Sequence, residues 1–340
     1  LRLGPISAAV IARHAQPAAL ALFESLVADN RAASLAAFRR GATHGLFLPS
    51  HLYLTLTERC NLRCQHCITD APRRTAEGQA RSMQPWLIDA LKPALAAADY
   101  VAFVHGGEAL LSPLLFPLLS ALQAARAGRA YSVHLLSNGM LLSRQMVGRL
   151  IDHGVNSLSV SLDGGSAQTN DRLRLGADFA RILANLGDAV SLRRERGADL
   201  RLGVSLVLTR DNQHELLDLA RRLADLGIDW LKIEEMCPLN LVAIEQLVPP
   251  DALLAATLLA ALRRELGSRL VIVDHLQDEP RCPCALTEEH AQEHAQEHAQ
   301  EHAQEYAQEY AGGGVIENAR DCRACAYRAA DDFANRAGFA

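Results

Sequence analysis

The sequence predicts an α/β fold built from parallel βαβ units, and two observations carry that expectation. Six β-type runs recur along the chain: LYLTLT (52–57), YVAFV (100–104), YSVHLL (131–136), NSLSVSL (156–162), LRLGVSLVL (200–208) and DWLKI (229–233). Helix-type stretches fill the gaps between them, near 84–98, 113–127, 143–153, 177–196 and 212–226. In the last of these, Leu216, Leu219, Leu223 and Leu226 fall three and four residues apart, the signature of one buried helix face. Strands alternating with helices in this way make a parallel barrel or an open wound sheet. In a parallel barrel the chemistry belongs at the C-terminal ends of the strands.

Taken in order, residues 1–50 form an Ala-rich helical extension, and a glycine and a proline break it before the first strand. Residues 51–248 hold the alternating pattern. Within it Asn212 is placed to cap the helix that Gly227 ends. After Pro249 and Pro250 come a helix (252–266) and a short strand, LVIV (270–273), and the region 249–340 then turns irregular and cysteine-bearing. It carries a low-complexity repeat at 288–310 in which His290, His294, His298, His302, Tyr306 and Tyr310 recur every four residues. That composition favours a solvated helix, stopped by Gly312–Gly314. Histidines at i and i+4 also allow chelation of a divalent metal.

At 340 residues, with 49% apolar and 21% charged side chains, the chain is long enough for one large domain or two ordinary ones with a real core. No uninterrupted apolar run reaches the ~20 residues of a membrane span, so no membrane role is expected. A net charge of −5 leaves no basic footprint, which disfavours nucleic acid as a partner. The eight cysteines are more informative. They stand at 60, 64, 67, 237, 282, 284, 322 and 325, mostly in groups far apart in sequence, and such groups in a chain of this size indicate metal more often than disulfides.

Cys60, Cys64 and Cys67 form C-x3-C-x2-C in a tight loop directly after the first strand. Three thiolates suit three irons of a cubane cluster and leave the fourth iron open, as catalytic metal sites require. A structural zinc prefers four protein ligands, and a zinc loop is the alternative reading.

This motif, in this place, resembles the radical S-adenosylmethionine superfamily, and the resemblance runs through residues 51–235. It implies a partial (β/α)6 TIM-like barrel carrying the helical extension in front and an auxiliary iron–sulfur domain behind. It also implies a catalytic [4Fe–4S] cluster whose open iron binds S-adenosylmethionine. An electron from that cluster cleaves the sulfonium, and the resulting 5′-deoxyadenosyl radical abstracts a substrate hydrogen. A reducing partner such as flavodoxin or ferredoxin is expected to deliver the electron.

Later strand ends match the same pattern. His105-Gly106-Gly107-Glu108 is similar to the family's Gly-Gly-Glu segment, with Ala109 in place of the usual proline. The glycines let the backbone approach the ligand and Glu108 offers a carboxylate to the methionine ammonium. Ser137-Asn138-Gly139 resembles the family's Thr/Ser-Asn-Gly, which lines the cofactor pocket. After the fourth strand, period two puts Ser159, Ser161 and Asp163 on one face, and Ser161 and Asp163 are assigned to the cofactor pocket. Asn170-Asp171-Arg172-Leu173-Arg174 is similar to the His-Asp-x-x-Arg-Gly element of peptide-modifying members, so Arg174 is expected to hold the cofactor's carboxylate. Asn170 and Leu175 depart from that element. Glu234 and Glu235 end the sixth strand, and one of them must point away from a substrate.

Cys282 and Cys284, with Cys322 and Cys325, supply four thiolates for an auxiliary [4Fe–4S] cluster or a four-thiolate zinc site. Asp321-Cys322-Arg323-Ala324-Cys325 resembles the tail of SPASM and twitch extensions, and four cysteines fit the shorter twitch type. Cys237, just after the sixth strand, reads as a small buried hydrophobe, with a fifth ligand as the alternative. The expected activity is hydrogen abstraction for oxidative modification or crosslinking of a ribosomally made peptide. The alternatives are radical oxidation or cyclisation of a small molecule, and a non-catalytic metal-binding protein. Oxygen-sensitive clusters point to a reducing cytoplasm.

Overall fold

A computed structural model describes residues 47–126 and 131–276, together with Asn30, residues 32–36 and Arg39. Most of the expected helical extension, the repeat at 288–310 and Cys282, Cys284, Cys322 and Cys325 lie outside the described residues. The elements run β1 (His51–Tyr53), β2 (Arg63–Cys64), α1 (Ala71–Ala76), α2 (Trp86–Ala97), β3 (Tyr100–Phe103), α3 (Leu115–Arg126), β4 (Ser132–Ser137), α4 (Arg144–Asp152) and β5 (Ser157–Ser161). They continue with α5 (Ala167–Leu173), β6 (Arg174–Leu175), α6 (Phe179–Arg196), β7 (Arg201–Leu208), α7 (Leu216–Leu226), β8 (Trp230–Glu235), α8 (Leu241–Gln246), α9 (Ala252–Leu266) and β9 (Val271–Asp274).

Seven strands form one sheet in the order β1-β3-β4-β5-β7-β8-β9, and every pair in it is parallel. The order never reverses, as it would in a doubly wound sheet. Right-handed crossovers that always step the same way put their helices on one face, which is the arrangement of a barrel wall. Six strands were expected within residues 51–248. The helix and strand beyond that boundary, α9 and β9, continue the same sheet as its seventh strand.

Side chains divide cleanly between the two faces. Val133, Leu135, Leu158, Val160, Leu202, Val204, Leu206, Leu231 and Ile233 are buried on one face. They pack against α4, α6, α7 and α9 through residues such as Ile182, Leu186, Leu219, Leu223 and Leu262. Gly197 and Gly227 end α6 and α7 in the left-handed conformation, as the sequence led us to expect for Gly227. The opposite face carries the alternate residues His134, Ser157, Ser159, Ser161, Ser205, Lys232 and Glu234 along with Leu136, Val207 and Trp230, so the concave side is mostly polar. Among the described residues no helix is long and apolar enough to cross a membrane.

Two local expectations are corrected. Asn212 does not cap α7, which is preceded by a short 3-10 turn at Gln213–Glu215. Its side chain is drawn inward instead: Oδ1 accepts from Thr209 N–H, and Nδ2 donates to the carbonyls of Asp163 and Val207. Cys237 is exposed rather than buried, because the chain leaves the sheet just after β8 and turns there, with Leu239 N–H donating to the Cys237 carbonyl.

Candidate metal centre

The first strand is shorter than the LYLTLT run. β1 ends at Tyr53, Leu54 N–H still donates to Ala102 O of β3, and beyond it the run leaves the sheet to carry the three cysteines. Three segments then clamp the loop. The Gly-Gly-Glu segment lies along it, with Gly107 N–H donating to Thr57 O, Glu108 N–H to Arg59 O, and the Thr69 hydroxyl to Gly106 O. β2 pairs with β6 antiparallel, setting Cys64 opposite Arg174, and Gln65 N–H donates to Leu173 O. Asn240 Nδ2, beyond β8, donates to Cys67 O at 2.9 Å.

The glycines of that segment serve a closer neighbour than a ligand. A Cβ at Gly107 would lie 1.9 Å from Arg59 O, and one at Gly106 would lie 2.4 Å from Thr55 Cγ2. His105 and Gly106 both take positive φ, 65° and 73°, which turns the strand end toward the loop. These residues bring the backbone against the cysteine loop itself.

Glu108 also has partners in the chain. It is 2% exposed, and its carboxylate accepts from Ser137 Oγ, Leu110 N–H and Asn138 N–H. Burial pushes its pKa up in spite of those donors. Glu108 therefore ties the end of β3 to the end of β4. It places Asn138, whose Nδ2 donates to Asn61 Oδ1 at 2.8 Å and lies 3.9 Å from Cys60 Sγ.

Cys60 and Cys64 have N–H donors nearby, and Cys67 lies beside a hydroxyl whose own proton goes to Gly106 O. Leu62 N–H and Asn138 Nδ2 face Cys60, Arg174 Nη1 is 3.6 Å from Cys64 Sγ, and Thr69 Oγ1 is 3.5 Å from Cys67 Sγ. Burial raises the Cys60 thiol and pushes Cys64 up to about 12, against the opposing charge of Arg174. A protein carrying these cysteines without metal keeps Cys60 and Cys64 protonated at neutral pH, and metal binding displaces such protons. Among the described residues no three His, Cys, Asp or Glu side chains close around a point as the ligands of a single ion do. Ligands to different irons of one cluster stand farther apart. His66 Nδ1 and Gln65 Oε1, inside the loop, are buried without a hydrogen-bond partner. Soft donors, directed N–H groups and orphaned polar atoms beside the loop fit a bound iron–sulfur cluster.

Asp163 is fully buried and joins the loop to the sheet. Its Oδ2 lies 2.5 Å from Arg174 Nε and 2.9 Å from His66 Nε2, while Oδ1 accepts from Val207 N–H. The Arg174 contact is an ion pair whose angles miss hydrogen-bond geometry. Burial alone would raise the Asp163 carboxyl, but Arg174, His66 and Val207 N–H hold it well below the usual carboxylate range. Asn170, standing where the family has histidine, is buried and accepts from Asp163 N–H through Oδ1. Glu215 holds the following turn by accepting from Gly165 N–H, Ser166 N–H, Ser166 Oγ and Thr169 Oγ1.

The structure thus brings Cys60, Cys64, Cys67, Gly106, Gly107, Glu108, Ser137, Asp163 and Arg174 into one connected assembly at the C-terminal ends of the strands. Ser161 stands on the concave face opposite Ser205, beside Lys232 in the next register pair. Lys232 pairs with Glu234, which faces the same side, whereas Glu235 lies on the other face. At the opposite end of that face His134 bridges Ser157 (2.8 Å) and Ser159 (3.0 Å), and the Trp230 ring crosses Gly203, where a Cβ would lie 1.9 Å away. These groups fill the N-terminal end of that face. Sequence reasoning missed His66, Asn138, Asn170, Glu215 and Asn240. Asn138, Asn170 and His66 stood within recognised motifs, while Glu215 and Asn240 had no local signal.

The radical SAM superfamily description matches residues 54–223. Among curated proteins the chain is 32% identical to mycofactocin maturase MftC of Mycobacterium ulcerans over 199 residues, 57% of this chain and 49% of that one. It is 32% identical to a GTP 3',8-cyclase of Synechococcus sp. over 194 residues, 54% of this chain and 55% of the cyclase. The chain spans about half the length of the curated relatives it matches. Among solved structures it is similar in fold to Streptococcus suis SuiB bound to S-adenosylmethionine, with a TM-score of 0.54 and 15% identity over 71% of this chain and 54% of SuiB.

Proposed function

The chain belongs to the radical SAM superfamily, and from that premise we propose that Cys60, Cys64 and Cys67 hold the catalytic [4Fe–4S] cluster of an oxidoreductase that modifies a ribosomally made peptide. The family uses that cluster with S-adenosylmethionine. Together they supply one-electron chemistry that removes hydrogen from an unactivated carbon. The observation that carries the reading is the set of three part-buried thiols, two with N–H donors and the third beside the Thr69 hydroxyl, on a loop clamped at the C-terminal mouth of a parallel sheet.

The protein's own residues bind and orient. The backbone at Gly106–Glu108 fixes the loop, Ser137 and Glu108 set the end of β4, and Asp163 with Arg174 holds the β2–β6 pair. Ser161 and the polar concave face offer hydroxyls to the cofactor, and the remaining N–H groups of Arg174 are within the same assembly. We assign the tail cysteines Cys282, Cys284, Cys322 and Cys325 to an auxiliary [4Fe–4S] cluster, which would take up an electron from a product radical or bind substrate. A flavodoxin or ferredoxin is the assigned donor, and the oxygen sensitivity of such clusters suits a reducing cytoplasm.

The peptide assignment rests on the likeness of residues 156–179 to peptide-modifying members, and a maturase is among the relatives. The second reading is cyclisation or oxidation of a small molecule, favoured by an equal identity to a GTP 3',8-cyclase. Anaerobically reconstituted, reduced protein given S-adenosylmethionine should release 5′-deoxyadenosine. Replacement of Cys60, Cys64 or Cys67 by Ala should abolish that release, and replacement of the tail cysteines should spare it. Zinc alone after reconstitution, or no 5′-deoxyadenosine from an intact cluster, would overturn the reading.

A further inference from the structure

Arg174 is the charged donor among those facing the three thiols. Cys60 has a backbone N–H and an amide, and Cys67 lies beside a hydroxyl already given to Gly106 O, whereas Cys64 has a buried guanidinium at 3.6 Å. That guanidinium cannot drift. Its residue is in register with Cys64 in the β2–β6 pair, and its Nε stands 2.5 Å from Asp163. Asp163 is immobilised in turn by Val207 N–H on Oδ1, by Asn170 on its own N–H and by Asn212 on its carbonyl. A fully buried carboxylate is thus fixed on the sheet and aims one cation at one sulfur.

We propose that Arg174 and Asp163 are a matched pair of positioning residues that set the reduction potential of the cluster bound through Cys64. The proposal rests on the assignment of Cys64 as a cluster ligand. One-electron reduction adds negative charge that spreads onto the thiolate sulfurs, and N–H donors or cations at a sulfur favour the more negative state. Arg174 raises the potential in this way, and the nearby carboxylate of Asp163 lowers it. The two side chains act on the cluster with opposite sign even though they hold the same loop.

The test is a potentiometric titration of the reconstituted protein without S-adenosylmethionine, with dithionite as the electron source and the reduced-cluster EPR signal as readout. Arg174→Gln should make reduction harder by about tenfold in the equilibrium, ~59 mV for a one-electron couple. Asp163→Asn should make it easier. Should Arg174→Gln load no cluster, the same opposite signs are read from Arg174→Lys and Asp163→Asn, with Lys shifting less than Gln because one ammonium cannot reach both partners. Shifts of the same sign in the two variants, as loosening of the loop would give, overturn the proposal. So does an unchanged potential in the Arg174 variant. A wild-type protein that binds no cluster overturns the cluster assignment as well, whereas a loaded wild type with an unmoved Arg174 variant overturns this inference alone.

Discussion

Asn138, at the end of β4, reaches Asn61 with its Nδ2 at 2.8 Å and stands 3.9 Å from Cys60 Sγ, so a residue of the sheet holds the loop that carries the first thiol. Its backbone is fixed by Glu108, which accepts from Asn138 N–H at 2.7 Å. Replacing Asn138 by Ala removes the side-chain tether and leaves the cysteines in place. Groups that orient metal ligands are typically worth 10–100-fold in affinity, so Asn138→Ala should hold its cluster about tenfold less tightly. The measurement is the rate at which a chelator bleaches the reconstituted cluster. An unchanged rate would show that the contacts of Gly107, Glu108 and β6 hold the loop without it.

Gly107 and Gly78 separate two reasons for glycine. Gly78 has φ of +70° with nothing within 4 Å of a Cβ, so Gly78→Ala carries only the left-handed strain, about 1 kcal/mol. At Gly107 the added Cβ meets the Arg59 carbonyl at 1.9 Å, and the backbone beside Cys60 must move. Gly107→Ala should therefore destabilise by about 3 kcal/mol or more and also impair cluster loading. Thermal unfolding and iron content of the two variants, measured side by side, check this.

The parts of this site that were legible in the sequence are those that recur along the chain. Alternating apolar runs gave the parallel sheet, and the cysteine spacing and the Gly-Gly-Glu segment announced their places at strand ends. Other parts were hidden because their partners are distant in sequence. Asp163 was assigned to the pocket from its strand period, yet nothing near it says that its carboxylate will meet His66 and Arg174. Asn212 looked like a helix cap by position, yet tertiary contacts with Asp163 and Val207 captured its side chain. LVIV was set apart by two prolines, although its pairing with β8 makes it part of the same sheet.

Asp163→Ala leaves Arg174 and His66 buried beside a vacated carboxylate. Breaking a buried pair by deleting one partner typically costs 3–5 kcal/mol, and loss of the acceptor for Val207 N–H adds to it. We expect about 4 kcal/mol in urea unfolding of the metal-free protein. Asp163→Asn, which keeps an oxygen for Val207 N–H, should cost less. Equal stability of Asp163→Ala and wild type would show that the His66–Asp163–Arg174 group does not hold the loop to the sheet.

His134 gives the fold a dependence on pH. It is enclosed by Ser157, Ser159 and Trp230, and burial, with Lys232 and Arg201 nearby, pushes it down to about 3 from its ordinary 6.5. Between those two values the unfolded chain binds a proton that the folded protein excludes. The stabilising contribution is therefore fully present above about pH 6.5 and is lost progressively as the pH falls toward 3, at about 1.4 kcal/mol per pH unit. His134→Gln removes the titrating group, so its stability should fall less steeply than the wild type's between pH 6.5 and 4, even where it starts lower at pH 7. Denaturant unfolding across that range tests the sign. Parallel slopes for the two proteins would show that His134 takes up its proton without breaking its contacts with Ser157 and Ser159.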